Sequence, residues 1–175
     1  MKPSRQPAGI PAGGQYAPVT RDDAEITLYA PVVDDDGAIR FLVDGELHRT
    51  DGPAIIYPDG TEMWHFEGEV HRDGDDPAVY LSTGEKEWFR YGARHRSGDQ
   101  PAVVHPDGAK EYFEHGARHR AGGQPAVLRP DGHTEWWVNG QLHRPVGYGP
   151  AIVFPDGGEK YFENGVEIKQ TRSAA

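Results

Sequence analysis

The stretch "NGQLHRPVGYGPAIVFPDG" (Asn139–Gly157) holds two turn signals, Asn-Gly and Pro-Asp-Gly, around a His-Arg pair and a Pro-Ala pair. The same His-Arg pair stands in "DGELHR", "EGEVHR", "YGARHR" and "HGARHR" earlier in the chain. A pair written five times in one setting belongs to a repeat, and a repeat decides the fold before any single residue does. The glycines that precede it are Gly45, Gly68, Gly92, Gly116 and Gly140, with Gly165 opening a last copy; the steps are 23, 24, 24, 24 and 25 residues. Pro-Ala recurs in phase at Pro53, Pro77, Pro101, Pro125 and Pro150, and a turn glycine in "YPDG", "LSTG", "HPDG", "RPDG" and "FPDG". Four residues after each turn glycine comes an aromatic: Trp64, Trp88, Tyr112, Trp136 and Tyr161. A partial leading copy, "APVVDDDGAIRFLVDG", puts Phe41 in the aromatic place.

Each unit reads as two short strands. In Pro-Asp-Gly the proline presets φ, the aspartate bonds back to the backbone and the glycine supplies φ > 0, so the segment specifies a tight hairpin. The aromatic-rich segments "MWHF", "EWFR", "EYFE", "EWWV" and "KYFE" suit strands. A residue before glycine then makes the second turn. No stretch keeps a 3.6-residue apolar period, so helix is not expected. The expected fold is all-β: an elongated antiparallel meander of tandem hairpin repeats of about 24 residues, with eleven or twelve strands at ~4.8 Å spacing. Domain boundaries are expected at 1–24, 25–169 and 170–175: an N-terminal arm, the array of about five and a half repeats, and a C-terminal tail. The Pro-, Gly- and Gln-rich arm is expected to be disordered. Period 2 leaves such a sheet with two apolar faces, which something must cover.

Register arithmetic sets Trp64 opposite His71, Trp88 opposite His95 and Tyr112 opposite His119, with Ala54 opposite Trp64. Histidine is expected to pack on the ring beside a small alanine that makes room for it. The structural repeat positions are therefore His48, His71, His95, His119 and His143, with the five glycines before them. The arginines Arg96 and Arg120 are expected on the other face, bridging carboxylates such as Glu87 and Glu111.

Composition narrows the function. Apolar residues make up 36% of the 175-residue chain, against 23 glycines and 15 prolines, which favours turns over a thick core. The net charge of −10 opposes a binder of nucleic-acid backbone, which needs a basic stripe. No cysteine is present, so disulfides and thiolate metal sites are excluded. No apolar run approaches the ~18 residues of a membrane span, and the start lacks an apolar core of secretory type. A cytoplasmic location is expected.

Five repeated histidines invite a metal reading, but equivalent positions two strands apart stand ~9.6 Å from each other, whereas zinc holds ligands at ~2.1 Å. His115 with His119 reads as surface histidine. Each Asp-Gly turn offers one carboxylate where calcium needs six to eight oxygens; "DDDG" (Asp34–Gly37) and "DGDD" (Asp73–Asp76) read as solvated turns. No nucleophile elbow, nucleotide loop or Cys-His pair occurs. An enzyme and a cofactor are therefore not expected. If a face binds, its residues are the aromatics Trp64, Trp88, Tyr112, Trp136 and Tyr161 with the arginines Arg72, Arg96, Arg120 and Arg144. An aromatic ladder of that kind could stack sugars, but rings packed on alanine and histidine would be core.

The unit "NGQLHRPVGYGPAIVFPDGGEKYFENG" resembles the MORN (membrane occupation and recognition nexus) repeat, above all the bacterial and viral variants reading "NGxxHRxxGPAxxxxDGxxxWY". The resemblance covers about four fifths of the chain. It implies a β-hairpin array used for binding or scaffolding, with a protein partner and no catalytic residues. MORN arrays are linked to acidic lipid, but the basic surface such binding needs is missing here, and some bacterial variants carry antitoxin-type labels. Two departures are "STG" in place of "PDG" in the second unit, and Ile168-Lys169 in place of His-Arg in the last, as a terminal cap would have. The opening "RQPAGIPAGGQYAP" resembles an N-terminal segment found on proteins of high-GC Gram-positive bacteria and their phages. Two apolar faces and open edges lead to an expected homodimer.

Overall fold

A computed structural model describes residues 30–169; the expectations for the arm over 1–24 and the tail over 170–175 lie outside them. The described chain is all-β and contains no helix. It forms one 14-stranded antiparallel sheet, in which successive units add strands in chain order, and four separate two-stranded hairpins. Among the described residues no helix is long and apolar enough to cross a membrane.

Between its two ends the main sheet is made of two-residue strands, paired within each unit through the Pro-Asp-Gly turn or its Ser-Thr-Gly equivalent. Ile55 pairs with Met63 and Ile56 with Glu62, and the same register recurs with Val103 and Glu111, Val127 and Glu135. The turns close as the sequence requires. Tyr57 N–H donates to the Thr61 carbonyl at 2.9 Å, and Asp59 Oδ1 accepts the Thr61 N–H at 2.8 Å. Asp107, Asp131 and Asp156 repeat that bond. The unit with Ser82-Thr83-Gly84 keeps the turn, and Ser82 Oγ instead donates to Asp59 Oδ2 of the unit before it at 3.0 Å.

The expected eleven or twelve strands are more numerous and shorter, because each internal long strand breaks at its repeat aromatic. At Trp88 the N–H donates to the Ala102 carbonyl of the next unit at 2.8 Å, while its own carbonyl accepts the His95 N–H at 3.0 Å. One residue thus serves two sheets, and the chain leaves the main sheet there to form the hairpin Phe89–Arg90 with Ala93–Arg94. Trp64, Tyr112 and Trp136 hand over in the same way. At the two ends the strands Ile39–Val43 and Glu159–Glu163 run through Phe41 and Tyr161 unbroken.

This break also supplies cover for one apolar face. Val79, Val103, Val127 and Ile152 line the inner face of the main sheet and are buried. The hairpins reach back onto that face. Arg94 Nε donates to buried Glu87 at 2.8 Å, Arg118 Nη2 to Glu111 at 2.6 Å, and Trp137 Nε1 to Glu135 at 2.6 Å. The alanines of Pro-Ala (Ala54, Ala78, Ala102, Ala126 and Ala151) are wholly buried, each across from or beside a repeat aromatic. A larger side chain there would overlap its neighbours.

Candidate functional site

The hairpin tips explain the histidines. In each X-Gly turn both residues have positive φ: 46° at Tyr91 and 71° at Gly92, 49° at His115 and 81° at Gly116. This is the mirror-image turn that matches strand twist. Gly tolerates it and Asn139 and Asn164 suit it, whereas Tyr91 and Glu67 do not. The N–H of that first turn residue is held by the histidine of the preceding unit. Glu67, Tyr91, His115, Asn139 and Asn164 donate to Nδ1 of His48, His71, His95, His119 and His143 at 3.1, 3.2, 3.4, 3.2 and 3.0 Å. Two of these rings also stack on the turn residue: His71 on Tyr91 at 4.1 Å and His95 on His115 at 4.9 Å. The histidine is a tie between units.

The expected cross-strand register is present, since Phe89 pairs with Arg94 and so sets Trp88 across from His95. The expected packing partner is different. It is arginine that covers the ring: Arg49 on Phe41, Arg72 on Trp64, Arg96 on Trp88, Arg120 on Tyr112 and Arg144 on Trp136, at 3.9, 4.1, 3.9, 3.8 and 3.9 Å. Each also donates through Nη1 to its own loop's proline carbonyl, at Pro53, Pro77, Pro101, Pro125 and Pro150. The expected bridges of Arg96 and Arg120 to Glu87 and Glu111 are replaced by pairs with Asp75 and Asp99. The break at the aromatic is the cause. Glu87 and Glu111 stay in the main sheet while Arg96 and Arg120 leave with the loop, so Arg94 and Arg118 take those carboxylates. Sequence reasoning missed Arg94 and Arg118; their signal is an arginine two residues after the turn glycine, in "GAR".

Electrostatics follow these contacts. The hydrogen bond from Arg96 holds Asp75 below the usual carboxylate range, and that from Arg120 does the same for Asp99. Burial, then the charges of His115 and Arg90, lower His95 against the pull of Glu114. Burial lowers His65, whose Nδ1 is enclosed without a hydrogen-bond partner.

The repeat aromatics are buried or half-buried, Trp88 and Tyr112 at 8% exposure. Trp88 Nε1 donates to the Asp75 carbonyl and Trp136 Nε1 to the Gly123 carbonyl, both at 2.9 Å. Tyr161 lies at the C-terminal end, across from Ile168, with its hydroxyl on Glu159. In the acidic loop Asp73–Asp76 the carboxylates diverge: Asp73 to His71, Asp75 to Arg96, Asp76 to Arg72. Among the described residues no three metal-ligating side chains converge.

What stays open is surface. The outward face of the main sheet carries Ile56, Tyr80, Val104, Leu128 and Val153, all half-buried, at two-strand intervals. Between them stand Glu62, Lys86, Lys110, Thr134 and Glu159. Val32, Val33 and Val166 are exposed on the terminal strands, and Val146 and Tyr148 on the loop after Arg144. Comparison with protein-family models and with curated proteins finds no match.

Proposed function

We propose that this chain is a noncatalytic binding or scaffolding module that engages another protein through the outward face or an edge of its main sheet. The observation that carries this reading is the outward column of half-buried apolar residues, Ile56 to Val153, alternating with charged and polar ones. Faces of mixed apolar and charged character suit protein partners, whose interfaces join an apolar centre to a polar rim. The conspicuous histidines, with Arg96 and Arg120, support it from the other side, because their polar atoms are taken up in ties between units, ion pairs and loop caps. The sugar-stacking reading has less support, since a guanidinium already lies on each of four repeat rings, Trp64, Trp88, Tyr112 and Trp136. A cytoplasmic setting and a MORN-like lineage belong to the same proposal, and an antitoxin- or immunity-type partner protein is its alternative.

The test is affinity purification from the native cell with three baits: the full chain, the chain without residues 1–24, and the full chain carrying Val104→Glu with Leu128→Glu. A protein retained in fixed ratio by the parent and lost by the face variant, at unchanged circular dichroism, supports the reading. Retention of polysaccharide in its place, or identical protein retention by the face variant and by a variant of both edges, contradicts it.

A further inference from the structure

Resting on the protein-binding reading, we propose that the cleft at Arg144 receives a side-chain carboxylate from an acidic, partly apolar peptide segment of the partner protein. That carboxylate would take the place that an aspartate of the chain itself fills in the two units before.

The internal repeat supplies the comparison. Arg96 donates through Nε and Nη2 to the two oxygens of Asp75 at 2.8 and 2.9 Å, and Arg120 to those of Asp99 at 2.8 and 3.0 Å. In both cases the aspartate lies 21 residues earlier. Arg72 pairs with Asp76 and Arg49 with Asp51. Twenty-one residues before Arg144 stands Gly123, and among the described residues Arg144 has no ion pair. Its other contacts match its counterparts: the ring of Trp136 at 3.9 Å and the Pro150 carbonyl at 3.1 Å. A planar fork held in place by a stack and a cap is preorganised for a bidentate carboxylate. There is room for an aspartate, on a left-handed backbone that Asp99 already adopts. Gly123 has φ +69°, its counterpart Asp99 has φ 54°, and a Cβ at Gly123 would meet nothing within 4 Å.

The surroundings differ in the same direction. The cleft, about 300 Å³, is lined by Gly123, Gln124, Trp137, Val138 and Pro145 beside Arg144, and by no acidic residue. Its equivalents at Arg96 and Arg120 are lined by Asp75 and Asp76, and by Asp99 and Glu114. The nearby Glu163 is engaged by the Val146 N–H at 3.0 Å. Burial lowers Arg144 against the pull of Tyr161, whereas the bond to Asp99 raises Arg120. The loop here is one residue longer than in the units before and exposes Val146 by 64% and Tyr148 by 75%. Val138, which lines the cleft, is exposed by 37%. An arginine fork beside exposed aromatic and aliphatic groups is the composition of an interface anchor. The apolar contacts supply the attraction that a chain of net charge −10 denies an acidic partner at long range, where salt screens beyond ~8 Å.

The experiment is an array of capped heptapeptides with a central Asp or Glu among apolar residues, each beside its Asn or Gln twin, plus basic and uncharged sets. It is probed with the full chain, with Arg144→Gln and with Gly123→Asp, and the retained peptides are titrated in solution. The acidic members should bind at least about tenfold more tightly than their amide twins. Gly123→Asp should abolish that preference by filling the fork from within, while keeping the parent's circular dichroism, and Arg144→Gln should abolish it too. Equal binding of acid and amide twins, no retained acidic member, or a preference that survives Gly123→Asp overturns the proposal. Retention of basic or uncharged peptides untouched by either substitution would overturn it while leaving the protein-binding reading in place.

Discussion

At Arg120 the guanidinium lies 3.8 Å over Tyr112, caps the Pro125 carbonyl and closes on Asp99. At Arg144 it lies 3.9 Å over Trp136 and caps the Pro150 carbonyl, and Gly123 stands where the aspartate would be. Two of three contacts are kept and the third is not. The difference separates what the repeat requires from what it tolerates. Ring, stack, cap and histidine tie recur in both units and hold the chain where it changes sheets. The ion pair is an addition, and where it is missing the surface gains a cation that has no ion pair among the described residues, beside exposed apolar side chains.

The largest effect should come from the rings. Trp88→Ala should lower stability by about 3–5 kcal/mol, by loss of apolar contacts and the cavity left behind. Trp136→Ala should cost less, because that ring is only half-buried. Chemical denaturation of both variants ranks them, and an equal or reversed order would show that the two units do not share one core.

Next come the ties. His119→Ala and His143→Ala each remove the acceptor of one turn N–H, at Asn139 and Asn164. Each should lower stability by about 1–2 kcal/mol. The two losses should be similar, since the tie does not depend on the carboxylate. A variant that kept its melting temperature and lost a ligand would make the histidine a functional group.

One of these ties, at His95, and the buried ring of His65 give a pH dependence. A protonated histidine cannot accept at Nδ1, and burial holds His95 and His65 below the ordinary value of 6.5 in the folded chain. The unfolded chain therefore takes up these protons first as pH falls. Stability should be complete above about pH 6.5 and be lost as pH falls through the folded-state values. Melting temperature against pH checks this, and His65→Gln should make the slope shallower. A stability that rises between pH 6.5 and pH 5 contradicts the assignment.

The smallest effect separates the two arginines. Arg120→Gln should destabilise slightly more than Arg144→Gln at low salt, and the gap should close in 1 M salt, because exposed pairs contribute little and are screened. Gly123→Asp should change the melting temperature little at low salt, because the pair it gains is offset by the strain of a side chain at φ +69°. No gap at any salt concentration would place the Asp99 pair outside the energetics of the fold.

The hairpins were legible in the sequence because turn chemistry is local. Pro-Asp-Gly and X-Gly fixed both registers, so Ala54, Trp64 and His71 could be aligned by counting. The change of sheet at each aromatic was not legible. It depends on Trp88 giving its N–H to one neighbour and its carbonyl to another, which no local signal announces. Every error about the site follows from that one event. A continuous strand would have put Arg96 beside Glu87; the break sent it onto Trp88 and Asp75 and left Glu87 to Arg94. The missing aspartate at Gly123 was visible in the letters all along, but it acquired meaning only once Asp75 and Asp99 were seen on the arginines 21 residues ahead.

The claim that the repeated histidine is a structural tie is tested most directly by nitrogen-15 NMR of the imidazoles near pH 7.5. His48, His71, His95, His119 and His143 should all show the Nε2–H tautomer, and Nδ1 should show scalar coupling to the amides of Glu67, Tyr91, His115, Asn139 and Asn164. Rings protonated on Nδ1, or tautomers in exchange with no coupling to those amides, would contradict the account.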